Sequence, residues 1–435
     1  MGAMIADREP SGWRVRLLYL CFGYGLVPFH FALTLWRSRG DSAAREGLGE
    51  RFGFGPAAAP GGLWVHAVSV GEVQAAASLV QALRRRYPQL PLTVTTATAT
   101  GRARARALFG AGVLVRYLPY DLPGAVRRFL GRVEPRLGIV LETELWPHLY
   151  RACARRDLPL VLASARVSER SVRRYRRLGT LVRELFSRRV VVAAQSAADA
   201  ARFQALGAAP ERTPVIGNLK FDFELPAGID AAGRALRAAL GEARPVWVAG
   251  STHDGEEALV VDAHARLRAR HPAALLVLAP RHPPRAAAVA ALLRRRGVRF
   301  VTRASAAAVA PDTEVLLLDT LGELQLFYAA GDVAFVGGSL VPVGGHNLLE
   351  PAALGRPIVT GPHTANAAAI ARLLLEEGAA VTVRDAEGLA ARVGTWLADP
   401  AARQAAGERG RAAVGANRGA LARFLALLEP LLPAT

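Results

Sequence analysis

Lysine is all but missing from this chain of 435 residues: 54 of its 55 basic residues are arginine, and the one lysine is Lys220. With alanine, glycine and leucine so abundant, that imbalance is what a GC-rich coding bias produces, so much of the arginine needs no functional explanation. A retained lysine therefore stands out. Cysteine is scarce too, and Cys21 and Cys153 alone build neither a disulfide framework nor a four-ligand zinc site. A reducing, cytosolic compartment follows as the expectation. Charge is sparse at 21% against 51% hydrophobic residues, which excludes a disordered chain. Acid is in deficit, 36 Asp and Glu against 55 Lys and Arg, and the net +19 leaves nucleic acid, an anionic membrane surface or a phosphorylated substrate as partner classes. The dinucleotide fingerprint G-x-G-x-x-G and a P-loop G-K-[ST] are absent, as are internal sequence repeats and the aromatic interleaving of nucleic-acid binders.

What is present begins with 20 uncharged residues, Leu17–Trp36, bounded by Arg16 and Arg37. That length covers a hydrocarbon core of ~30 Å. Gly23, Gly25, Pro28 and His30 interrupt it, while Trp13, Tyr19, Tyr24 and Trp36 are of the kind that settle at headgroup depth. A membrane anchor is the expectation and a buried core helix the alternative. No small-x-small cleavage site follows, which argues against a cleaved signal peptide. The arginines after the run slightly outnumber those before it, placing the body on the cytoplasmic side.

Beyond the anchor, short apolar runs alternate with amphipathic Ala/Leu/Arg stretches, the pattern of parallel sheets covered by helices. Strands are expected at 62–68, 92–96, 113–117, 137–141, 160–163 and 190–194, then at 245–249, 274–278, 299–302, 315–319, 333–336 and 357–360. The fold class is thus α/β, two Rossmann-like domains facing a cleft, with an N-terminal hydrophobic helix. The expected division is 1–40 anchor, 41–215 first domain, 216–228 linker and 229–435 second domain, with the last helices able to pack back on the first. The linker is read from two prolines and two glycines in Thr213–Gly228.

Several strand ends carry chemistry. In H-A-V-S-V-G-E (His66–Glu72) a helix opens near Val73, and Glu72 is placed to take a proton from an attacking hydroxyl, or else is an ordinary acid favoured at a helix N-terminus. L-E-T-E-L-W-P (Leu141–Pro147) sets Glu142 and Glu144 two apart, pointing the same way if strand geometry persists. They grip ligand hydroxyls or pair with nearby arginines. S-A-R-V-S-E-R-S-V-R-R-Y (Ser164–Tyr175) packs arginines including Arg166 and Arg170 into a short span, an anion site or a solvated helix face. In the second half, G-S-T-H-D-G-E-E (Gly250–Glu257) places Ser251 and Thr252 where backbone N–H groups meet an anion. A-P-R-H-P-P-R (Ala279–Arg285) holds Arg281 on a stiff proline turn; His282 reads as a loop histidine without metal-ligand spacing. The longest signal is Gly331–Pro362, strand, Gly-rich loop, helix, strand. Gly344 and Gly345 let backbone approach a ligand, a helix starting near His346 turns its positive end to phosphate, and Asn347 and Glu350 share a face able to hold a ribose.

Taken together, these stretches resemble the GT-B glycosyltransferases, and within them the 3-deoxy-D-manno-octulosonate (Kdo) transferases of lipopolysaccharide assembly. N-x-x-E-P-A-A-L-G-R-P resembles the nucleotide-sugar site of many GT-B enzymes. H-A-V-S-V-G-E-V, E-T-E-L-W-P, S-E-R-S-x-R-R-Y, G-N-L-K-F-D, G-S-T-H and A-P-R-H are narrower and occur in Kdo-transferase order from His66 to Pro362. The resemblance implies inverting transfer of Kdo from CMP-Kdo to the 6′-hydroxyl of the lipid A precursor (lipid IVA), at the cytoplasmic face of the inner membrane, with no metal, no cofactor and no nucleic acid. It makes Glu72 the general base and Glu142 a second functional acid. Ser251, Thr252, Pro280, Arg281, Leu321, Gly322, Gly344, Gly345, Asn347 and Glu350 become donor contacts, and Arg166, Arg170 and Lys220 acceptor or anion contacts. The chain departs from the family pattern at Leu321 (usually Met), at Leu348 (usually Pro) and in T-T-A-T-A-T-G (Thr95–Gly101), where Ala replaces Gly and Pro. A UDP-sugar transferase or epimerase and a membrane-tethered nucleic-acid binder are the alternatives.

Overall fold

The computed structural model describes residues 12–37, 39, 45–186 and 189–432. Helix α1 (Gly12–Arg37) comes first. Of the expected anchor, residues 1–11, 38 and 40 and the side chains of Trp13 and Arg37 lie outside the described residues. The chain then forms two compact units, Met1–Phe223 with Arg418–Thr435, and Glu224–Asn417.

In the first unit β1 (Leu63–His66), β2 (Leu92–Thr96), β3 (Leu114–Tyr117), β4 (Leu137–Leu141), β5 (Leu160–Ala165) and β6 (Val190–Ala194) build one parallel sheet in the order β3-β2-β1-β4-β5-β6. β4, β5 and β6 do not alternate apolar with polar because both faces are covered. Leu63, Val65 and Ile139 pack with Leu79 and Leu83 on one side, and Trp64, Val140 and Leu162 pack with Phe129 and Leu149 on the other. Gly138 in β4 leaves room for Trp64, whose ring would lie 2.9 Å from an added Cβ. Helix α2 (Val70–Ala75) follows β1, and α3 (Glu169–Arg176) follows β5.

The second unit repeats the plan with β7 (Val246–Thr252), β8 (Leu275–Pro280), β9 (Phe300–Thr302), β10 (Val315–Leu317), β11 (Val333–Val336), β12 (Ile358–Thr360) and β13 (Ala380–Thr382), all parallel, ordered β13-β12-β11-β7-β8-β10-β9. Helix α4 (Glu256–Arg268) follows β7, and the short α5 (Leu349–Ala353) lies between β11 and β12. β13 was not expected; three residues, one of them exposed, make no apolar run to read.

Residues 216–223, expected in a linker, pack into the first unit instead, where Ile216 and Leu219 are buried in its core. The last helix, α6 (Ala420–Leu428), joins the same core through Ala420, Phe424 and Leu428. Asp222 accepts the N–H groups of Gly419 at 2.6 Å and Leu421 at 2.7 Å, fastening the two ends of the unit together.

Helix α1 is long and apolar enough to cross a membrane. Tyr19 donates to Asp121 at 2.9 Å, Arg16 pairs with Glu184, and Phe31 meets Phe52 edge-on at 5.0 Å, so the helix lies lengthwise on the first unit. The buried-core alternative does not hold: Leu17, Leu18, Phe22, Phe29 and Trp36 are exposed.

Candidate active site

Doubly wound sheets place ligands beyond the carboxyl ends of strands where the strand order reverses. In the first unit that point lies between β1 and β4. The chain leaving β1 carries Glu72, and the chain leaving β4 carries Glu142 and Glu144. Helix α2 begins at Val70 rather than near Val73, so Glu72 stands in its first turn and its carboxylate accepts the Val68 N–H at 2.8 Å. Burial pushes its pKa up to about 7; the Val68 N–H opposes, the charges of Glu142 and Glu144 add, and Lys220 opposes. A helix-terminus position and a raised pKa coexist in one side chain.

Glu142 is held differently. Lys220 Nζ donates to Oε1 at 2.8 Å and Arg166 Nε to Oε2 at 3.0 Å. Burial works to raise its pKa, but the two cations outweigh it and hold the carboxyl below the usual range. Glu144, half-buried, has no such cations: burial drives its pKa up to about 7, the nearby Trp146 opposing and the Glu142 charge adding. The expected parallel projection of Glu142 and Glu144 fails, because β4 ends at Leu141 and Glu142 adopts φ 55°, which interrupts strand alternation. Lys220 reaches the site through a short turn: Asn218 Oδ1 accepts the Lys220 N–H at 3.0 Å, and Ser164 Oγ accepts the Leu219 N–H at 2.9 Å. Ser164 itself sits at φ 53° where β5 slips register, so non-glycine residues in the left-handed region cluster at this edge. Arg170 is exposed on α3 and takes no part in these hydrogen bonds.

In the second unit the reversal falls between β7 and β11. Ser251 adopts φ 58° at the end of β7, and the buried Thr252 Oγ1 has no partner among the described residues. Arg281 follows β8, exposed, with its N–H on the Thr252 carbonyl at 2.9 Å; Pro280 pairs with Thr252 in the sheet. The expected helix from His346 is corrected: residues 337–348 form a loop and α5 starts at Leu349. Asn347 is therefore not on the same helix as Glu350; its Oδ1 caps that helix by accepting the Leu349 N–H at 3.0 Å. Burial raises the Glu350 pKa, with Gln325, Asn347 and Arg281 opposing. Gly344 and Gly345 have φ 108° and 75°, and a Cβ at Gly344 would collide with Asn366 at 2.6 Å. Leu321, 78% exposed, and Gly322 lie beyond β10, two strands from the reversal.

Two features escaped the sequence reading. Glu256, fully buried at the start of α4, accepts the N–H groups of Gly338 (2.7 Å), Leu340 (2.9 Å), Ser339 (3.1 Å) and His253 (3.2 Å), tying the Gly-rich loop to β7's exit. Nothing local to G-S-T-H-D-G-E-E announces a partner 82 residues on. The rings of His253 and His346 also meet, Nε2 to Nε2 at 2.7 Å. A surface cavity of about 670 Å³ lies at the amino ends of β2 and β3, lined by Pro91, Arg106 and Val113 among others, and contains none of the candidate residues. Among the described residues no group of three or more His, Cys, Asp or Glu side chains is placed to hold a metal ion.

The chain is similar to known proteins over most of its length. A family model described as 3-Deoxy-D-manno-octulosonic-acid transferase (kdotransferase) matches residues 46–223. The chain is 42% identical over 396 residues to the 3-deoxy-D-manno-octulosonic acid transferase of Haemophilus influenzae, covering 89% of this chain and 92% of that one. The Bordetella pertussis protein of the same name is 42% identical over 423 residues, 94% of this chain and 97% of its own. Among solved structures, a glycosyltransferase from Rickettsia africae overlays 86% of this chain and 100% of its own with a TM-score of 0.55 at 12% identity, a likeness of fold.

Proposed function

The chain belongs to the Kdo transferase family, and from that premise we propose that it moves Kdo from CMP-Kdo to lipid IVA with inversion and without a catalytic metal, Glu72 serving as general base. One observation carries the assignment of the base: a half-buried carboxylate at the first unit's strand reversal whose pKa is about 7, where a base is both deprotonated and strong enough to act. Glu72 takes the proton as the acceptor 6′-hydroxyl attacks the anomeric carbon. Glu142, kept ionised by Lys220 and Arg166, supplies fixed negative charge toward the oxocarbenium-like sugar. In the second unit Arg281 faces the nucleotide phosphate, and Glu350 with Asn347 holds the ribose hydroxyls. Each donor aimed at charge that develops on the leaving phosphate contributes ~3–4 kcal/mol to the barrier reduction.

Helix α1 supports a site of work at the cytoplasmic face of the inner membrane. It is fastened at Arg16, Tyr19 and Phe31, which at 1.5 Å per residue is more than 20 Å of its length. So fastened, it lies in the interface with Leu18, Phe22 and Phe29 toward the acyl chains, and the arginines of α3 suit anionic headgroups.

The test is mass spectrometry of products from CMP-Kdo and lipid IVA with wild type and Glu72→Ala. Loss of transfer in a folded variant is the expected result, and unchanged turnover removes Glu72 from the role of base. CMP raising the melting temperature while UDP does not separates this donor from a UDP-sugar.

A further inference from the structure

The edge of the second sheet holds three histidines that the transfer chemistry above leaves unused. His253 leaves β7 and His346 lies in the loop after β11, the two strands between which the order reverses. Their rings lie edge to edge, centroids 5.0 Å and planes 7° apart, with their Nε2 atoms 2.7 Å apart. At that distance only one Nε2 can carry hydrogen, so one ring donates and the other accepts. Gly338 belongs to the arrangement, since an added Cβ would come within 2.9 Å of the His346 ring. His282, after β8, meets His253 edge-on at 5.6 Å.

The charged surroundings are lopsided. Arg281 and Arg285 lie toward the pair from the β8 exit, together with His282. Glu256 is the facing carboxylate, but both its oxygens are occupied by four backbone N–H groups; Asp254 is exposed and paired with Arg285. Glu350 senses Arg281 as well, so the candidate nucleotide contacts and the pair share one electrostatic neighbourhood. His363, after β12, is exposed and approaches the loop through its backbone, its carbonyl oxygen 3.2 Å from where a Gly345 Cβ would stand.

We propose that the His253–His346 pair is a proton-linked phosphate site: neutral when empty, it binds one proton from solvent as the nucleotide's phosphate settles beside it, and so meets the departing CMP with a cation. The proposal rests on the CMP site assigned above. Its physical basis is the loss of counter-charge in the empty site. Burial, with the neighbouring cations, holds the His346 pKa at about 4 and lowers that of His253. A phosphate dianion at the strand reversal reverses the sign of the local potential and favours the imidazolium. The extra proton goes to a ring Nδ1, and the Nε2–H···Nε2 bond persists with the charge shared over both rings.

The test is calorimetry of CMP binding to the full chain at pH 7.5 in buffers of different ionisation enthalpy, which counts protons taken up. At that pH a phosphate monoester, with a second pKa of about 6, is already the dianion and contributes little of its own. Wild type is expected to take up at least about 0.3 proton per CMP, and cytidine, which lacks the phosphate, almost none. His346→Gln and His253→Gln should each bind CMP more weakly and abolish the uptake, while His363→Gln leaves it unchanged. CMP bound with no uptake by wild type, or equal uptake by CMP and cytidine, overturns the proton-linked pair. No CMP binding by wild type overturns the CMP assignment itself, a separate outcome.

Discussion

A base tuned to work near neutrality, the role proposed for Glu72, is also a folding liability of definite magnitude. Its pKa stands at about 7 in the folded chain against an ordinary 4.5, and one pH unit of displacement corresponds to ~1.4 kcal/mol, so the charged form costs the fold ~3 kcal/mol. The sign follows from proton counting. Between pH 4.5 and 7 the folded state holds a proton that the unfolded state has lost, so stability falls as pH rises through that window and stays low above it. Glu72→Gln keeps the shape and an oxygen for the Val68 N–H while removing the charge. The variant should therefore be more stable than wild type at pH 8, by up to ~3 kcal/mol, and indistinguishable at pH 4. Kdo transfer should fall by ~10²–10⁴-fold over the same comparison. Urea denaturation at the two pH values, read by tryptophan fluorescence, with product mass spectrometry on the same preparations, checks both. A variant less stable than wild type at pH 8, or a stability difference independent of pH, refutes the claim that the carboxyl is held at an elevated pKa.

Other consequences are open to similar measurement. The acid limb of kcat/KM should fall tenfold per pH unit below about 7, and Glu144→Gln, by removing a negative neighbour, should move that limb to lower pH; an alkaline move contradicts the charge arrangement. Lys220→Met leaves Glu142 with Arg166 alone and removes a cation that lowers the Glu72 pKa, so transfer should drop at least ~10-fold and the limb shift upward, Lys220→Arg recovering part of both. Glu256→Gln can accept at only one of its two positions, and should cost the second unit ~2–4 kcal/mol in denaturant titration and weaken CMP binding; wild-type affinity would mean the Gly-rich loop needs no such tether. Leu18→Glu with Phe29→Glu should abolish sedimentation with anionic vesicles while leaving the melting temperature of the body within a degree or two, and persistent sedimentation would move the membrane contact away from α1.

The sequence by itself determined the architecture and the neighbourhoods of the chemistry. Buried parallel strands are continuous apolar runs, so β4, β6 and β11 begin and end where the hydrophobicity does. Ligands of such sheets bind where those runs stop, which is why Glu72, Glu142, Arg281 and Glu350 stand out as candidates from position along the chain. Lys220 was readable from composition, as one lysine among arginines. What tertiary structure alone decided is how distant segments share charge and hydrogen bonds. Lys220 and Glu142 are 78 residues apart, Glu256 and Gly338 82, His253 and His346 93, and no local periodicity encodes such pairings. Nor does residue type alone say that Glu142 turns into the left-handed region while the next carboxylate, Glu144, is half-buried without a cation. The ionisation states on which catalysis depends are sums of burial and neighbouring charge, and those exist only once the strands have been laid side by side.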